Sequence, residues 1–189
     1  MAENKVKFGL KNVHVATLSV GETGAITFGT PFAVPGAVNL SIDAQGDETE
    51  FYADDGAYYV SYNNNGYSGS LKLARVPDKF RQDILKETLE STDKILVEYA
   101  NVETQSFALL YEVNGDQKAA RKLFYKCTVS RPAEKAQTTN KSKEPNTETL
   151  NITIKPLEDG RVKAQTTAET STQTYNSWFS KVWEPTAEA

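Results

Sequence analysis

The chain has 189 residues and a formal net charge of −4, enough for one ordinary domain and short for two. Its single cysteine, Cys127, excludes an intrachain disulfide and zinc sites of the paired-cysteine kind. Its single histidine, His14, leaves little proton-transfer chemistry near neutral pH.

No apolar run approaches the roughly 18 residues of a membrane span, and the first residues are polar. A soluble protein with no leader and no membrane partner is expected.

In chain order, a period of two predicts strands over 13–19, 25–28 and 38–42. His14 lies in the first of these. With no Gly-x-Ser-x-Gly elbow to supply a nucleophile, it reads as a structural residue. Residues 43–55 follow, with six acids (Asp43, Asp47, Glu48, Glu50, Asp54 and Asp55) and no base, read as an exposed loop. Their spacing is not that of an EF-hand, so no metal site is assigned.

Strands are predicted again over 58–62 and 68–74, and then the period changes. Over 78–90, Phe80, Ile84, Leu85 and Leu89 form one apolar stripe, which predicts an amphipathic helix of about three turns. Strands resume over 106–112 and 123–129, and in the latter Leu123, Tyr125, Cys127 and Val129 are expected on one buried side. Cys127 is then a small hydrophobe rather than a nucleophile.

Residues 117–143 hold eight bases against the single acid Glu134. Within them begins 132–147, a polar stretch with almost no apolar residues, read as a long exposed loop or projecting tip. The clearest alternation is 148–155, where Leu150, Ile152 and Ile154 face one way, followed by a last strand over 161–165. The arm 170–189 places Tyr175, Trp178, Phe179, Val182 and Trp183 at helical spacing. That predicts a terminal helix which either caps its own sheet or anchors in a neighbour. Three Asn-x-Ser/Thr triplets, at Asn39, Asn140 and Asn151, are chance matches.

Short strands punctuated by Asn-Gly, Asp-Gly and Pro-Gly turns define a single mainly β domain, a sandwich or barrel with one flanking helix. The charge asymmetry points to contacts between identical copies, an acidic segment on one face meeting a basic segment on the opposite face of the next copy. The contact residues expected are Asp43, Asp47, Glu48, Glu50, Asp54, Asp55, Lys135, Lys141 and Lys143, with Tyr175, Trp178, Phe179 and Trp183 in the arm. No catalytic residue, cofactor or metal is assigned.

Several blocks occur in an order similar to that of a known family: KVKFGLKNVH at 5–14, TPFAVPGAV at 30–38, FYAD at 51–54, NNGYSG at 64–69, VPDKFR at 76–81, FALLYE at 107–112 and the Arg131-Pro132 step. Together they resemble the major tail proteins, or tail-tube proteins, of long-tailed non-contractile bacteriophages.

The resemblance implies a β-sandwich flanked by a helix, assembled as stacked hexameric rings into the conduit for the phage genome. It implies a virion protein put together in the bacterial host cytoplasm. Its partners would be copies of itself, a tape-measure protein and terminator or initiator proteins, with DNA passing through unbound. Six copies of an acidic chain suit a lumen that does not hold phosphates. A carbohydrate-binding sandwich that uses Tyr58, Tyr59, Tyr62 and Tyr67 as stacking platforms is the alternative, as is the tube of a contractile tail or secretion system.

Overall fold

The structure is a computed structural model that describes residues 3–22, 24–138 and 145–186. Strands hold 45% of the residues and helices 7%, which meets the expectation of a mainly β fold.

The elements run β1 (Lys7–Val20), β2 (Ile26–Phe28), β3 (Phe32–Ala33), β4 (Ala37–Ala44), β5 (Glu48–Ala53), β6 (Gly56–Tyr62) and β7 (Tyr67–Leu73). After them come α1 (Asp78–Asp83), β8 (Thr88–Leu89), β9 (Leu96–Val97), β10 (Phe107–Gly115), β11 (Ala120–Val129), β12 (Glu148–Ile154), β13 (Lys163–Gln165) and α2 (Thr172–Ser177). The main sheet is antiparallel in the order β2-β1-β10-β11-β12-β7-β4, with β3 added to β1 and β13 to β11.

This sheet curls. Only Val34, Pro35 and Gly36 separate β3, which pairs with β1, from β4, which pairs with β7 at the far edge. A connection that short brings the two edges together, so one core collects Val13 and Val15 from β1 together with Leu71 and Leu73 from β7. Extra residues in β1 and β11 supply the bend. In β1 three residues oppose two of β10 both between Lys7 and Leu10 and between Lys11 and His14, and Asn12 has φ 50°.

The bulge in β11 corrects the expected facing of that strand. Phe107 pairs with Cys127 but Leu109 pairs with Phe124, so one extra residue of β11 lies between them. Leu123 and Tyr125 therefore face a second, outer core, while Phe124, Cys127 and Val129 face the inner one. Cys127 is fully buried, and burial pushes its thiol pKa well up, as fits a small hydrophobe.

The helix predicted over 78–90 is shorter, ending at Asp83. Lys86 takes φ 60°, which a continuing helix does not allow, and the chain turns into β8. Phe80, Ile84 and Leu85 still plug the inner core, Phe80 edge-on to Phe107 at 5.8 Å, whereas Leu89 is exposed.

The terminal helix is likewise confined to 172–177. Ser171 caps it by accepting from the Thr174 amide, and Trp178 to Trp183 follow outside it. That strap lies on the outer face, where Trp178 and Val182 are buried with Leu18, Leu110, Leu123 and Tyr125.

The strand directions define two poles. The Lys7 end of β1, the Ala44 end of β4, the Tyr67 end of β7 and the β10–β11 turn point one way, and the ends at Leu73, Val129 and Phe107 point the other. The segment from α1 to β9 belongs to the second pole, where Gln105 donates its amide to Ile84 O and Thr104 Oγ1 donates to Val129 O.

Candidate self-assembly surfaces

The acidic segment is not an irregular loop. Asp43 lies in β4 opposite Ser68, and Glu48 to Ala53 are a strand whose partner is β6. The ladder of β4 and β7 continues into this hairpin through Gln45 N–H to Gly66 O, Asn65 N–H to Gln45 O and Asn63 N–H to Asp47 O. Gly66 allows the transition with φ 100°, and any Cβ there would meet Ile154 O.

The tip is a two-residue turn in which Asp54 and Asp55 have φ 50° and 60°. Both central residues being left-handed is the type I′ pattern, whose twist matches the flanking strands.

The hairpin has two unlike faces. Glu48, Glu50, Val60 and Tyr62 share one, where Tyr62 donates to Glu48 Oε1 at 2.8 Å and Tyr52 donates to Glu50. Those carboxylate partners hold both phenols protonated beyond their usual range. Thr49, Phe51, Tyr59 and Ser61 share the other face, with Phe51 60% and Tyr59 61% exposed and no charge beside them. A two-stranded sheet is marginal in water when it has no core of its own, and an exposed aromatic face of this kind marks a contact surface.

At the opposite pole, 132–138 carry neither helix nor strand and Lys135 is exposed. Lys141 and Lys143 lie outside the described residues, as do the Asn140 triplet and the middle of the expected basic loop. The basic block of 117–143 is no single patch, because β11 carries it from one pole to the other.

Arg131 is occupied within the chain. Its guanidinium donates to the carbonyls of Leu85, Tyr99 and Val102 and pairs with Glu98 at 3.1 Å. Arg121 pairs with Glu112 at 2.9 Å. Among the described residues no three His, Cys, Asp or Glu side chains come together as a metal cluster. No helix among the described residues is long and apolar enough to cross a membrane.

The arm aromatics are engaged with their own sheet. Trp178 is 3% exposed, stacked on Trp183 at 6.5 Å, and Phe179 lies 4.7 Å from the His14 ring. Tyr175 donates its hydroxyl to Ala119 O. Within the single chain the strap packs on its own sheet. The sequence reading passed over β5, although Asp55-Gly56 between Phe51-Tyr52 and Tyr58-Tyr59 is a hairpin signal.

No protein-family model matches the chain, and no curated protein matches it. Among solved structures, the chain is similar to the cryo-EM structure of the anti-feeding prophage cap, a tube-terminating cap. Identity is 12%, coverage 88% of this chain and 97% of that one, and the TM-score 0.46. It is also similar to a chain of the anti-feeding prophage baseplate at 9% identity, 89% and 99% coverage and a TM-score of 0.45.

Proposed function

We propose that this protein is a structural virion subunit that self-assembles as stacked hexameric rings into a phage tail tube, the conduit for genome delivery. The observation that carries the reading is the β5–β6 hairpin, a two-stranded arm with exposed Phe51, Tyr52, Tyr58, Tyr59 and Tyr62 and four acids. The family-like sequence blocks support it, as does the separation of this arm from residues 132–138, which follow the opposite end of β11.

Asp43, Asp47, Glu48, Glu50, Asp54 and Asp55 meet a neighbouring copy, and Lys135, with Lys141 and Lys143, meets the next ring. Tyr175, Trp178, Phe179 and Trp183 fix the strap to its own sheet, so the strap reaches a neighbour through its exposed flank. Tape-measure and terminator or initiator proteins join the same surfaces, and DNA passes through an acidic lumen without specific binding.

Negative-stain electron microscopy of the purified protein across concentration and salt, beside a sizing column, is the test. Hollow filaments or rings are expected, and a particle that stays monomeric at every concentration overturns self-assembly by the free subunit. A glycan-binding reading draws on the same exposed tyrosines, and a glycan array that lights up with a strictly monomeric protein favours it.

A further inference from the structure

At the hairpin pole three lysines converge. Lys122 of β11 stands opposite Tyr111 and Gln165, Lys163 stands opposite Phe124, and Lys7 stands opposite Gly115 at the end of β1. Their floor is aromatic. Phe124 lies 5.4 Å from Tyr67 and 6.2 Å from Tyr111, and Lys163 Nζ is 5.0 Å from the centre of the Tyr67 ring.

All five arginines of the sequence, and Lys79, have a carboxylate partner in the structure, but Lys7, Lys122 and Lys163 have none among the described residues. Lys122 is half-buried, and desolvation, then Lys7 and Lys163, hold its pKa below the usual lysine value. The cluster is therefore a site at which an incoming anion relieves repulsion rather than replacing an existing pair.

We propose that Lys7, Lys122 and Lys163 are the seat for the hairpin-tip carboxylates of a second copy of this chain, side by side with the first. The proposal rests on the reading of the protein as a self-assembling subunit and names where the hairpin lands. Charge complementarity selects the occupant: residues 45–62 carry five acids and no base. Of these, Glu48 and Glu50 already accept from tyrosine hydroxyls and Asp47 from Asn65. That leaves Asp54 and Asp55 at the tip, exposed and without a side-chain hydrogen bond among the described residues.

A six-residue strand reaches roughly 20 Å. Hairpin and seat lie at the same pole, so a neighbour stacked pole to pole in a head-to-tail column does not join them, whereas a lateral neighbour does. A head-to-tail lateral contact repeated around an axis closes a ring.

Two variants test this, each checked for an unchanged circular dichroism spectrum: Asp54→Lys with Asp55→Lys, and Lys7→Glu with Lys163→Glu, which alters only exposed residues. Alone, each brings like charges together and is expected to raise the concentration needed for ring formation by at least about tenfold. Mixed in equal amounts they present opposite charges at every contact, and rings return.

Rings from either variant alone at the wild-type concentration overturn the proposal and leave self-assembly standing. A mixture that does not recover overturns it too, because the seat then serves its own hairpin or another anion. Inorganic polyphosphate binding that is lost in the lysine variant while its assembly is unchanged assigns the seat to a polyanion instead. A wild-type protein that never assembles removes the functional reading and this proposal together.

Discussion

The guanidinium carbon of Arg121 lies 3.8 Å from the centre of the Tyr175 ring. The same guanidinium donates to the Tyr175 carbonyl and to Glu112, and Lys118 Nζ approaches the ring at 4.0 Å. One arginine on β11 thus holds the C-terminal strap, its side chain oriented by a buried glutamate on β10.

Replacing the ring is expected to loosen the strap before the sheet. Both tryptophans of the chain are in that strap, so fluorescence reports on it directly. Tyr175→Ala removes a partly buried cation–π contact and a hydrogen bond, a loss of about 2 kcal/mol. The expected result is a red-shifted emission at low urea, ahead of the far-ultraviolet transition. An unshifted spectrum with a single coincident transition contradicts this role for the ring.

The order of strands was largely legible because buried faces impose a period of two, as in Leu150, Ile152 and Ile154, all buried in the inner core. What the pattern hid has identifiable causes. Strand β5 was masked by its acids, two of which accept from tyrosine hydroxyls on a hairpin that buries neither face, so no apolar alternation marks it. The bulge in β11 reversed the facing of Leu123 and Tyr125 relative to Cys127, because one extra residue shifts the period of two where apolar residues stand on both faces. Both helices read too long, because Leu89 and Trp183 repeat at helical spacing while Lys86 and the turn after Ser177 leave the helix. The lysine seat was invisible, since its members stand on three strands far apart in sequence.

Arg81 joins α1 to two carboxylates, Glu148 at 2.6 Å and Glu87 at 3.2 Å, and Glu148 also accepts from the Val76 amide. Glu87 is buried. Removing the cation leaves a desolvated carboxylate unpaired, so Arg81→Ala is expected to cost about 3 kcal/mol. The urea midpoint is expected to fall at constant slope. A midpoint within error of wild type means that solvent reaches the carboxylates and the triad contributes little.

The apolar hairpin face gives the opposite combination. Phe51 and Tyr59 pair across the strands, both more than half exposed, so Phe51→Ser with Tyr59→Ser is expected to change the stability of the sheet by no more than about 0.5 kcal/mol. Assembly is expected to fail at concentrations where wild type forms rings, because the contact face is gone. Melting temperature and electron micrographs of the same preparation separate the two effects. Normal rings from this variant mean that the aromatic face is not a contact.

A last dependence is on acid. The N-terminal segment is held on the β10–β11 turn by Asn4, whose Oδ1 accepts from the amides of Gln117 and Lys118, and by the Lys5 amide, which donates to Asp116 Oδ1 at 2.8 Å. That amide, foremost among the groups around it, holds the Asp116 carboxyl below the usual aspartate range. A carboxyl depressed in the folded state contributes its attachment at all pH above the unfolded value of about 4, and the contribution disappears as pH falls through the folded value. Amide exchange at Lys5 is therefore expected to be slow and steady through neutral pH, after correction for its intrinsic pH dependence, and to accelerate only below about pH 4. Asp116→Asn is expected to exchange faster at pH 7 and to lose the acid step. An acid step that persists in Asp116→Asn assigns the titration to another carboxyl.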